Sequence, residues 1–174
     1  MSGQVLTNQV SSAGCGSLSL DSSDSLDLLE VYVLGKICGI EISGDTATIV
    51  LLQGYRTSFE IVKSDFKKIS ISNEAEQSVI KSFHETMDNF IRQNEVDKLC
   101  VKKVSSGGMY SASPTAIKIE AILQLSPIPV ELLHPTKIAS IIKKSAIDED
   151  LYKHLYKYQH KALEVAFCGL GDSE

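Results

Sequence analysis

The groups in this 174-residue chain with chemistry to offer are four cysteines, four histidines and a scatter of lysines, and their spacing excludes more than it supports. Cys15, Cys38, Cys100 and Cys168 form no CxxC pair and have no histidine at zinc-ligand spacing. Three of them, Cys38, Cys100 and Cys168, stand inside apolar runs, where a free thiol behaves as a small hydrophobe, so reduced core cysteines are expected. His154 and His160 fall on different faces of a helix, which argues against a metal pair. His134 precedes a proline that opens a helix and is expected to help cap it, while His84 sits among solvent-type residues. There is no GxGxxG, no P-loop and no GxSxG, so neither a nucleotide cofactor nor a serine nucleophile is expected.

Lys102, Lys103, Lys118, Lys137 and the pair Lys143 and Lys144 are spread around a Gly-Ser stretch, Ser105 to Ser113. Gathered on one surface they would grip phosphates; left apart they are ordinary solvated side chains. Tyr152, Tyr156 and Tyr158 share one short segment, and Tyr152 with Tyr156 at i, i+4 suits core or rim packing better than base stacking.

The elements that must position these groups follow from composition and period. Hydrophobic residues make up 43% and charged ones 22%, which suits one domain with a real core. Mean hydropathy is +0.03, and no apolar run approaches the roughly 20 residues of a spanning helix, so no membrane partner is expected. The first thirty residues hold no Lys or Arg, which argues against a secretory or transit segment there and for a cytoplasmic protein. Of the net charge of −5, Asp21, Asp24, Asp27 and Glu30 supply −4, and the rest is close to neutral. A near-neutral domain is a poor general polyanion binder, so any phosphate site must be a local patch. Eight of the first 25 residues are serine with no apolar period, so residues 1–30 are expected to be a flexible acidic segment ahead of a domain at 31–174. Leu26 to Glu30 mixes leucine with acid and reads either as a linker or as a short docking segment.

Within the domain, Val31–Leu34 and Ile37–Ile42 read as extended, followed by a turn at Ser43-Gly44-Asp45 and a β-branched run from Thr46 to Leu52. A third strand covers Thr57 to Val62 and is expected to continue through Ile69 and Ile71. Asn73, with Glu76 three residues on, is expected to cap a helix whose apolar stripe is Val79, Ile80, Phe83, Met87, Phe90 and Ile91. Leu99–Val101 is a short buried strand, Ser113-Pro114 opens a second helix, and Val130–Leu133 is a fifth strand. Pro135 starts a third helix, and residues 149–169 a last one with Leu155, Tyr156, Gln159, Leu163, Ala166 and Phe167 facing inward. The order βββαβαβα predicts an α/β domain with a mixed five-stranded sheet, antiparallel at one edge, parallel at the other and covered by helices.

That order, with Gly39-Ile40-Glu41-Ile42-Ser43-Gly44 leading into Thr46–Leu52, resembles the ribonuclease H-like superfamily, in particular the RuvC-type resolvases and their YqgF-like relatives. Ala116–Gln124, Pro129-Val130-Glu131, His134–Lys137 and Lys161–Ala166 are similar to their middle helix, fifth strand, following helix and closing helix. From about Lys36 the chain looks closest to a family of small, uncharacterised bacterial proteins of the same superfamily. The resemblance implies a two-metal site of carboxylates over the sheet, holding Mg²⁺ or Mn²⁺ about 4 Å apart. Position by position it puts the first carboxylate, a metal ligand, at Glu41, but brings Lys102 and Lys161 to two other acidic positions. Glu164, one turn after Lys161, and Glu120 would be the remaining catalytic carboxylates.

Two functions follow. One is a degenerate module without a cofactor, binding a protein or structured nucleic acid through Lys102, Lys103, Lys118, Lys137 and Lys161, with a homo-oligomer open to it. The other is a divalent-metal-dependent nuclease built on Glu41, Glu120 and Glu164. A third use, docking through residues 17–34 alone, would survive loss of the lysines.

Overall fold

The computed structural model describes residues 35–105, 107, 112–145 and 147–172. The acidic segment 1–30, the strand expected at 31–34, Cys15 and most of the Gly-Ser stretch lie outside them.

β1 (Lys36–Ser43) and β2 (Thr46–Tyr55) form the opening hairpin, with Ser43 paired to Thr46 across a two-residue loop. Gly44 takes φ 64° there, a left-handed value that glycine adopts without a Cβ penalty. β3 (Ser58–Val62) pairs with the far half of β2, from Tyr55 back to Leu51. It does not run on through Ile69 and Ile71 as expected. The chain leaves the sheet after Val62 and returns as β4 (Lys68–Ser70) beside the near half of β2, where Thr48 pairs with Lys68. The interruption has a local cause: Ser64 Oγ accepts from the Phe66 N–H at 3.1 Å and donates to the Phe66 carbonyl at 3.2 Å, closing a tight turn. β5 (Lys98–Lys102) lies parallel to β1, and β6 (Val130–Leu133) parallel to β5. The sheet therefore has six strands rather than five, in the order β3-β2-β1-β5-β6 with β4 also on β2.

Alternation along β2 sends Ile49 and Leu51 to one face and Val50 and Leu52 to the other. The first face is covered by α1 (Gln77–Asn94) and α2 (Pro114–Leu123), through Phe83, Met87, Phe90, Ile91, Ile119 and Leu123. α1 starts later than its sequence suggests. Asn73 builds a turn ahead of the helix, accepting from Ala75 N–H at 3.1 Å and donating to Glu76 at 2.8 Å, and Glu76 becomes the N-cap. α2 begins as expected, with Pro114 first and Ser113 Oγ accepting from Ala116 N–H at 3.1 Å.

The second face is covered by α3 (Pro135–Ser145) and α5 (His160–Gly169). The expected single helix over 149–169 is broken into α4 (Glu149–Lys153), a 3₁₀ turn (Lys157–Gln159) and α5. Gln159 causes the break. Its buried side-chain amide donates to the Ile49 carbonyl at 3.3 Å, and its oxygen accepts from the Tyr156 N–H at 3.4 Å, which fixes Tyr156 in extended backbone. Leu163, Ala166 and Phe167 keep the expected inward face, but Tyr156 turns out to solvent. No helix among the described residues is long and apolar enough to cross a membrane.

Cys38, Cys100 and Cys168 are free and buried. Burial pushes the Cys100 thiol up to about 12 and that of Cys168 up to about 11, and raises Cys38 further. In a Cys15→Ser protein at pH 8 these three thiols should resist a disulfide reagent until denaturant unfolds the chain. Rapid native labelling of any of them would contradict that placement.

Candidate functional site

The parallel half of the sheet sets the C-terminal ends of β1 and β5 side by side, and they carry Glu41 and Lys102. Glu41 shares a face with Gly39 two residues earlier, the face on which α5 lies. Lys102 Nζ donates to Glu41 Oε1 at 2.8 Å. Glu41 Oε2 is buried and has no hydrogen-bond partner. On α5, Lys161 pairs with Glu164 at 3.1 Å. Lys102, Lys161 and Glu164 line a cleft of about 410 Å³ with Lys143, Ile138 and Ile142 of α3. The structure thus gathers Lys102, Lys161, Glu164 and, of the expected lysine pair on α3, Lys143, with Glu41 joined to them through Lys102.

The other expected residues stand elsewhere. α2 covers the opposite face of the sheet, where Glu120 accepts from the Val104 N–H at 2.7 Å. Lys118, also on α2, lies 3.8 Å from Glu74. Lys103 is exposed and alternates away from Lys102. Lys137 donates to Glu131 Oε1 at 2.8 Å, and Lys98 to Glu131 Oε2 at 2.6 Å. His134 caps α3 as expected, its Nδ1 accepting from the Thr136 N–H at 3.4 Å.

The hydrogen bonds from Lys137 and then Lys98 hold the Glu131 carboxyl below its usual value of 4.5. A depressed folded-state value stabilises the protein above the unfolded carboxylate range and ceases to do so as pH falls through it. Glu131→Gln should therefore be less stable than wild type at pH 7, with the gap closing on acidification. A urea series in which the gap widens towards acid would contradict this.

A family profile described as "Protein of unknown function (DUF3010)" matches residues 35–169. The chain belongs to this family. RuvC of Thermus thermophilus is similar in structure, with a TM-score of 0.58 at 9% identity over 76% of this chain and 92% of that one. RuvC of the same organism in complex with a Holliday junction substrate gives a TM-score of 0.52 at 10% identity, over 77% and 91%. At such identities the likeness is one of fold, and it agrees with the ribonuclease H-like sheet described above. No curated protein matches the chain.

In this DUF3010 chain the carboxylates do not fit a two-metal centre. Glu41 and Glu164 each have a lysine within 3.1 Å, and no three His, Cys, Asp or Glu side chains among the described residues are grouped to hold a metal ion. The sequence reading missed Lys67 and Lys68. Thr48 pairs with both Glu41 and Lys68, so Lys68 stands on the same face two strands away, about 10 Å by strand spacing. Lys68 lies 4.3 Å from the Tyr158 ring centroid. Tyr156 is in extended backbone and Tyr158 in the 3₁₀ turn, so no sequence period announced their shared exposure.

Proposed function

We propose that this DUF3010 protein is a ribonuclease H-like module that no longer cleaves by metal chemistry and instead binds a branched nucleic acid through Lys102, Lys143 and Lys161. The observation that carries the reading is the Lys102–Glu41 ion pair at 2.8 Å, at strand ends where RuvC-type enzymes are expected to place acids. An ammonium there repels a divalent cation and attracts a phosphate. The fold shared with RuvC, one structure of which holds a Holliday junction substrate, supports the same class of partner. With a net charge of −5, affinity must come from the local patch and fall steeply with salt.

The test is binding of a labelled four-way junction and of a linear duplex of equal length, followed by incubation with Mn²⁺. Tighter binding of the junction with no cleavage is expected. A second reading, a metal-dependent nuclease using Glu41 and Glu164, has one observation on its side: the unpartnered Glu41 Oε2. Cleavage abolished by Glu41→Gln would establish it in place of the first.

A further inference from the structure

Four large hydrophobic side chains are exposed among the described residues, and two of them, Tyr156 and Tyr158, are 58% and 41% exposed in one patch. Their rings lie parallel, with centroids 5.5 Å apart and planes 5° from each other. They are not on a loose loop, because the Gln159 amide between them and α5 is bonded to the Ile49 carbonyl inside the core. Lys67 lies 4.8 Å from the Tyr156 centroid and Lys68 4.3 Å from that of Tyr158. Lys98, Lys102, Lys137 and Lys161 each have a carboxylate within salt-bridge distance, whereas Lys67 and Lys68 have none among the described residues. A cleft of about 520 Å³ opens beside the Tyr156 ring, lined by Lys63, Asp65, Phe66, Lys67 and Leu155 and by Lys153, which is itself paired with Asp150.

We propose that Tyr156, Tyr158, Lys67 and Lys68 form a binding site for the unpaired bases of a single-stranded nucleic acid. A base takes the place of the lysine over a tyrosine ring, and the displaced ammonium moves to the adjoining phosphate. The exchange is favourable because an exposed cation–π contact is weaker than base–aromatic stacking, and the lysine gains a phosphate in return. Unneutralised lysines on an acidic protein match the charge of that backbone, and flat rings match bases of any sequence. An acidic peptide would use the lysines and leave the rings without a role. The site borders the Glu41 and Lys102 face through Lys68, yet it does not depend on a junction being bound there.

The test is fluorescence anisotropy of the full chain with a labelled oligothymidylate of about 12 nucleotides and an abasic oligomer of equal length, a span within the usual site sizes. Wild type should bind the oligothymidylate at least about tenfold tighter than the abasic strand. The double variant Tyr156→Ala, Tyr158→Ala should lose that preference, and Tyr156→Phe with Tyr158→Phe should keep it. Lys67→Gln with Lys68→Gln should weaken both probes alike and reduce the salt slope by about 1.4. Equal binding of the two strands by wild type, which needs no variant to fold, would overturn the proposal. So would an acidic polypeptide binding as tightly as oligothymidylate. Lys102→Gln with Lys161→Gln should weaken junction binding and leave oligothymidylate binding intact, so this site and the junction reading fail separately.

Discussion

Gly39→Val should cost the protein roughly 3 kcal/mol or more of stability, at or beyond the top of the range for an overpacked core. A Cβ at Gly39 would stand 2.3 Å from both the Ala162 carbonyl oxygen and the Ala166 nitrogen, and 2.5 Å from the Ala166 Cβ. Two of these obstacles are helix backbone, which cannot rotate aside as a side-chain tip can. α5 would have to lift from β1, loosening the cluster in which Val50, Leu52, Leu163 and Phe167 meet. A domain of ordinary stability has about 5–15 kcal/mol in total, so this one residue decides a large share. Urea unfolding measures it, and a variant within about 0.5 kcal/mol of wild type would contradict the seating of α5 on Gly39. The same helix carries Lys161 and Glu164, so the change should also scatter the cleft.

Replacing Lys102, Lys143 and Lys161 together by glutamine should weaken junction binding about a hundredfold at 0.15 M salt. Each lysine on a phosphate contributes about 0.9 to the slope of log affinity against log salt, so the slope should fall by about 2.7. Lys118→Gln should change little, because Lys118 lies on α2 beside Glu74, across the sheet from the cleft. Anisotropy titrations over a salt series separate the cases. An unchanged slope in the triple variant would place phosphate contacts elsewhere.

What could be read from the sequence was what local period and local caps decide. The β1–β2 hairpin, the buried stripe of α1, the short strand at Leu99–Val101 and the Ser113-Pro114 helix start each depend on residues near in sequence. The break in the last helix depends on a bond from Gln159 to Ile49, 110 residues away, and has no local signature. The third strand splits where the Ser64 hydroxyl closes a turn on Phe66, inside the polar stretch Lys63-Ser64-Asp65 that interrupts the apolar alternation. For the lysines, residue type was legible and fate only in part. The resemblance already set Lys102 and Lys161 beside Glu41, and Lys102 is the one that pairs with it because β5 runs parallel to β1. Lys137 reaches Glu131 from the first turn of α3, which no sequence pattern announced. The aromatic patch was hidden for the same reason as the helix break, since Gln159 is what turns Tyr156 outward.

The most direct measurement is calorimetric titration of Mn²⁺ into the purified chain, beside Lys102→Glu and Glu41→Ala. With Glu41 held by Lys102 at 2.8 Å, wild type should give no saturable heat, and Lys102→Glu should acquire it by setting two carboxylates where an ion pair stood. Saturable binding by wild type that disappears in Glu41→Ala would contradict a silenced site and return the question to the cleavage assay of the nuclease reading.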